Sequence, residues 1–169
     1  GLLHDSGYRT GLFGKAHFEP FLDPFLRFPE NRMGVSGATQ DETGPHRGFE
    51  RMEFAGHGAA GFVHYVSWLR DNHPEQMAGY FPVLDMTLEV NPEGGGDTGA
   101  PQVKHNPVPR GIYHTDWVAD RAISWLDSLD SAENWFCWLS FPDPHHPWNP
   151  PASELHRVPW RDLNLPAGY

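Results

Sequence analysis

The chain has 169 residues, enough for one ordinary domain with a sizeable core, and 22 Asp+Glu against 12 Lys+Arg give a formal charge of −10. That balance excludes a broad basic face for a nucleic-acid backbone or an anionic membrane surface, and no apolar run approaches the roughly 20 residues of a membrane span. An anionic small substrate stays open, since a few cations focused in a cleft override the global sign. The single cysteine, Cys137, excludes an internal disulfide framework.

Gly1-Leu2-Leu3-His4-Asp5-Ser6-Gly7 reads as the last turn of a helix, with Gly7 in the left-handed position just past its end. A strand is expected over residues 10–18. Lys15 and His17, two positions apart, would project to one face of it. Gly14 beside them lets a ligand or another backbone approach closely. An ammonium and an imidazole with no carboxylate between them suit an oxyanion.

Pro20, Pro24, Pro29 and Pro45 then argue for a long ordered loop. Residues 48–54 alternate apolar and charged, the pattern of a half-buried strand. Phe62, Tyr65, Val66 and Leu69 share one helical face. Residues 74–110 lose all period under six prolines and Gly94-Gly95-Gly96, which fits either a substrate-shaping flap or a tolerated insertion. Order returns over 113–129, where Tyr113, Trp117, Val118, Ala122, Trp125, Leu126 and Leu129 trace an apolar stripe. Asp116, Asp120 and Asp127 lie mostly off it, as a solvated face more readily than as metal ligands.

Trp135-Phe136-Cys137-Trp138-Leu139-Ser140-Phe141 is a continuous apolar run, expected to be a strand buried on both faces of a parallel sheet. Helix followed by buried strand is half of an α/β crossover unit. Next comes Pro142-Asp143-Pro144-His145-His146-Pro147-Trp148-Asn149-Pro150-Pro151, a loop stiffened by its prolines. It sits at the C-terminal end of a parallel strand, where open α/β sheets bind ligands. Taken alone, His145 suits capping a carbonyl as well as serving a site.

Two of these stretches resemble the sulfatases, a branch of the alkaline-phosphatase-like superfamily. Gly7, Tyr8, Thr10, Gly14, Lys15 and His17 match the pattern Gly-Tyr-x-Thr-x-x-x-Gly-Lys-x-His, and Pro144-His145-His146-Pro147 matches Pro-His-x-Pro. The resemblance implies a partial alkaline-phosphatase-like α/β sandwich, a mostly parallel sheet flanked by helices with long Pro/Gly-rich excursions. It further implies that residues 1–169 form a central piece of a catalytic domain that hydrolyses sulfate esters of small molecules or carbohydrates. Lys15 would bind sulfate oxygens or the nucleophile, His17 would hydrogen-bond the nucleophile, and His145 would contact sulfate and protonate the leaving alcohol.

The same resemblance implies a divalent cation, usually Ca2+, and a formylglycine nucleophile made from Cys or Ser. Neither is expected to come from this sequence, because Cys137 is followed by Trp138-Leu139-Ser140 rather than x-Pro-x-Arg, and the aspartate pairs are missing. These residues alone are therefore expected to bind no catalytic metal and to be inactive. A phosphodiesterase or phosphonate monoester hydrolase of the same superfamily is the nearest alternative, and a non-catalytic carbohydrate- or metal-binding module is the alternative from another class.

Overall fold

The computed structural model describes residues 1–20, 25, 27–28, 30, 42–56, 63–76, 108–145, 150–154, 157 and 162–168. Their architecture is α/β. Three parallel strands, β1 (Arg9–Gly14), β2 (Arg51–Phe54) and β3 (Trp135–Ser140), lie in the order β2-β1-β3. Three helices accompany them: α1 (Leu2–Asp5), α2 (His64–Asn72) and α3 (His114–Asp127). No helix among the described residues is long and apolar enough to cross a membrane.

The turn from α1 into β1 follows from Gly7. Its φ of +85° is the left-handed conformation expected past a helix end. The Gly7 amide donates to the His4 carbonyl and the Tyr8 amide to the Leu3 carbonyl, the paired bonds of a Schellman cap. The central strand then alternates. Leu12 faces Met52 and Phe54, while Phe13 faces α2 and α3, and both Leu12 and Phe13 are fully buried.

Most of the core lies on the Phe13 side. Tyr65, Val66 and Leu69 of α2 meet Trp117, Val118, Ala122 and Trp125 of α3 there, with Phe13 and Trp125 at a ring separation of 5.6 Å. The helical stripes expected from the sequence are therefore the faces that pack. Asp120 and Asp127 are exposed and Asp116 pairs with Arg110 at 3.3 Å, as a solvated helix face requires. Phe62 and most of the 74–110 excursion lie outside the described residues.

Three expectations fail. The strand expected over 48–54 is shortened to Arg51–Phe54, and Glu53 is buried along with Met52 and Phe54 instead of alternating outward. The first strand stops at Gly14 rather than reaching residue 18, so Lys15 and His17 lie on the loop that follows it and strand alternation does not set their directions. Gly14 is the physical cause. Its φ of +101° takes the backbone out of the β region, and a Cβ there would fall on the Ser140 carbonyl oxygen. Backbone approach, one of the two roles foreseen for Gly14, is thus the observed one.

The β3 strand is also not buried on both faces. Trp135 is 52% exposed and Leu139 45%, and among the described residues β3 pairs with β1 alone. Cys137 packs against the α3 side, while Trp138 leans on Phe18 and Phe49. A run of apolar residues records what a strand tolerates, whereas edge or centre depends on which neighbours arrive.

Replacing Gly14 by Ala forces both a strained φ and a backbone clash, so a loss of more than about 2 kcal/mol is expected. Gly111→Ala is the control, because a Cβ there meets nothing within 4 Å. Urea unfolding midpoints of the two variants, measured in the protein that carries this chain, check the contrast.

Candidate functional site

The site begins where β1 ends. Thr10, 1% exposed, donates its hydroxyl to the Gly48 carbonyl at 3.1 Å and accepts the Glu50 amide at 3.1 Å. That bridge ties β1 to the approach of β2. Arg9 spans farther, its guanidinium bonding Glu50 and, at 2.9 Å, Glu133 just before β3. Gly7, Thr10 and Gly14 of the matched pattern thus have architectural work.

Lys15 follows immediately. Its amide donates to the Ser140 carbonyl at 2.7 Å, and the Ala55 amide donates to the Gly14 carbonyl at 3.1 Å. The backbone at Lys15 is therefore held from both neighbouring strands. The side chain is half-buried, and that burial lowers the pKa of its ammonium from the ordinary lysine value. His17 lies two residues farther along the loop and is exposed.

His145 leaves the same end of the sheet. It stands five residues past Ser140 on an exposed turn, closed by its own amide donating to the Pro142 carbonyl at 3.0 Å. Because β1 and β3 are parallel neighbours, Lys15 and the 141–145 turn emerge side by side. His146 and Trp148 lie outside the described residues.

The described residues do not fit a calcium centre. Calcium takes six to eight oxygen ligands. Among the described residues, the group that brings three possible ligands together is Glu19, Glu30 and His46, two oxygen donors and one nitrogen, with ligand atoms within 4.8 Å of one another. Those carboxylates are already engaged. Glu19 accepts the Glu30 amide at 2.9 Å and Arg47 at 2.8 Å, while Glu30 accepts the Glu19 amide at 3.2 Å and meets His46 at 2.9 Å. Burial pushes the Glu19 pKa up, but the Glu30 amide and Arg47 outweigh it and hold the carboxyl below its ordinary value. We read the four residues as a clasp on the loop that carries His17. Cys137 fits a nucleophile no better, since burial raises its thiol pKa and so disfavours the thiolate.

A groove of about 620 Å³ at the other end of the sheet is lined by Arg9, Glu50, Arg51, Glu53, Arg121 and Trp125. Arg9 is bonded to Glu50 and Glu133, and Arg51 to Glu53 at 2.7 Å. Arg9 and Arg51 are thereby neutralised, while Arg121, the third guanidinium of the groove, lies over the Trp117 ring at 5.9 Å.

Behind the His145 turn lies a partly buried polar cluster. His114, at the start of α3, is 1% exposed, and its Nε2 lies 3.9 Å from Asp143 Oδ1. Thr115 donates its hydroxyl to Asp143 Oδ2 at 2.8 Å. Burial, opposed in part by Asp143, lowers the His114 pKa to about 4. Burial first, and Asp143 second, raise the Tyr113 phenol, so it stays protonated. His64 is likewise kept neutral by burial, accepting the Phe54 amide at 3.0 Å on Nδ1 and placing Nε2 3.0 Å from the Glu42 carbonyl.

Reading the chain residue by residue misses the Asp143–Thr115 tie and the Glu19–Glu30–His46–Arg47 clasp. Their partners are 28 and 11 to 28 residues apart, and no local spacing joins them. No protein-family model matches the chain.

His114 has a pH consequence. Its folded pKa of about 4 lies below the reference value of 6.5, so between these values the unfolded chain binds the extra proton. Stability is therefore fully present above pH 6.5 and falls as the pH drops toward 4, by on the order of 3 kcal/mol from this residue. His114→Gln should flatten the dependence of the urea midpoint over that window. An unchanged slope would show that His114 titrates normally.

Proposed function

We propose that this chain supplies the anion-handling side chains of a sulfuric ester hydrolase, with the sulfate ester of a small molecule or carbohydrate as substrate. The observation that carries the reading is the convergence of two sequence patterns. Lys15 and the turn that reaches His145, about 130 residues apart, follow neighbouring parallel strands and leave the same end of the sheet. That is the end at which α/β sheets hold ligands.

The chemistry needs positive charge on the sulfuryl oxygens and a proton for the departing alcohol. Lys15 provides the first, from a half-buried position where a weaker dielectric strengthens its pull. His145 provides the second. As the bond between sulfur and the alcohol oxygen breaks, that oxygen takes the bonding pair and receives the imidazolium proton. His17 hydrogen-bonds the attacking group.

Both the nucleophile and the divalent cation of such an enzyme would have to come from polypeptide outside this sequence. Cys137 and the Glu19–Glu30–His46 clasp fit neither role. No step of the reading runs through them.

In the full-length protein carrying this chain, Lys15→Ala and His145→Ala should each lower kcat for an aryl sulfate by about 10²- to 10⁴-fold. Rates within twofold of wild type would overturn the assignment. Faster turnover of a phosphate diester or phosphonate monoester than of any sulfate ester would move the protein to the phosphoryl branch of the reading.

A further inference from the structure

We infer that Asp143 is a positioning residue for His145, anchored to the first turn of α3 by Thr115. This rests on the reading of His145 as the proton donor in ester hydrolysis. The inference itself starts from the polar cluster behind the turn.

Asp143 is the second residue before His145, inside the turn closed by the His145 amide and the Pro142 carbonyl. Its two oxygens face one short stretch of α3. Oδ2 accepts the Thr115 hydroxyl at 2.8 Å, and Oδ1 lies 3.9 Å from Nε2 of the buried His114. The first turn of this 14-residue helix is also where the helix dipole favours a carboxylate. Tyr113, at the N-cap, stands beside the same carboxylate, which helps raise its phenol pKa.

The anchor matters because of what α3 itself packs on. Trp117, Val118 and Trp125 bury against the Phe13 side of β1. A turn tied to α3 is thereby tied to the strand that ends at Lys15. The β3 side gives a second tie, the Lys15 amide to the Ser140 carbonyl at 2.7 Å. These two points help fix the direction in which the His145 turn leaves the sheet, and the Asp143 point rests on side chains, with Thr115 as its short hydrogen bond and His114 and Tyr113 beside it.

Its partners suit a positioning role better than a catalytic one. His114 is held neutral by burial, and Thr115 presents a hydroxyl, so neither carries charge to the reacting group. Proline at residues 142 and 144 limits φ along the turn. It does not choose the turn's tilt against the sheet, which the carboxylate does.

The test uses the full-length protein with Asp143→Ala, Thr115→Val and Thr115→Ser. The Cε1–Hε1 NMR signal of His145, assigned with His145→Gln, reads the ring's surroundings without reference to turnover. It should shift or broaden in Asp143→Ala and Thr115→Val and return to its wild-type position in Thr115→Ser.

Kinetics read the consequence. A misplaced proton donor harms esters with poor leaving groups most, so the ratio of kcat for an alkyl sulfate to kcat for a nitrophenyl sulfate should fall about tenfold or more in the first two variants. KM should stay within twofold, and Thr115→Ser should restore the ratio. An unmoved His145 signal, or equal losses on both esters, overturns the positioning role. If Asp143→Ala does not fold, Thr115→Val decides the matter, since it removes one hydroxyl oxygen and keeps the side-chain shape. Should the wild-type protein hydrolyse neither sulfate, the functional reading falls while the His145 signal still judges Asp143.

Discussion

The end of the sheet is organised around one carbonyl, that of Ser140. It accepts the Lys15 amide, and it sits where the Cβ of any residue other than glycine at position 14 would lie. That close approach lets β1 and β3 end together, and with them the two loops that carry Lys15 and His145. It also forces the chain to turn out of the sheet at Gly14, whose positive φ no side-chain-bearing residue adopts readily. The geometry of the proposed site is thus a consequence of strand pairing, imposed before any ligand is considered.

Along the sheet, polar groups act mainly as ties. Thr10 bridges β1 to 48–50, Arg9 reaches Glu50 and Glu133, and Asp143 reaches Thr115. Each links segments distant in sequence through hydrogen bonds that are individually modest. Beneath them, Phe13, Tyr65, Trp117, Val118 and Trp125 supply the burial that holds α2 and α3 to the sheet. Burial also keeps His114 and His64 neutral, so the exposed His17 and His145 stand apart from the buried pair.

The Glu19–Glu30–His46–Arg47 clasp shows how a chain with a net charge of −10 can bury carboxylates. Two backbone amides and one guanidinium satisfy the Glu19 and Glu30 oxygens together with the imidazole. At Glu19 burial is the largest single influence and raises the carboxyl pKa, but the Glu30 amide, Arg47 and His46 together outweigh it. The clasp holds the loop on which His17 lies, so local order there does not depend on regular secondary structure.

What the residues determined by themselves is what depends on near neighbours. Helical stripes over α2 and α3, the left-handed Gly7, the three strands and the polar face of Asp116, Asp120 and Asp127 all follow from spacing within a few positions, which backbone geometry converts directly into faces. The pairing of two chemical motifs at one end was an expectation drawn from family resemblance. Strand order was decided by tertiary structure, and with it that β3 exposes Trp135 and Leu139, that β1 ends at Gly14, and that Asp143 meets Thr115. Those outcomes depend on which distant backbone arrives alongside, and the energy of that arrival is shared among many contacts. No single stretch of residues encodes it.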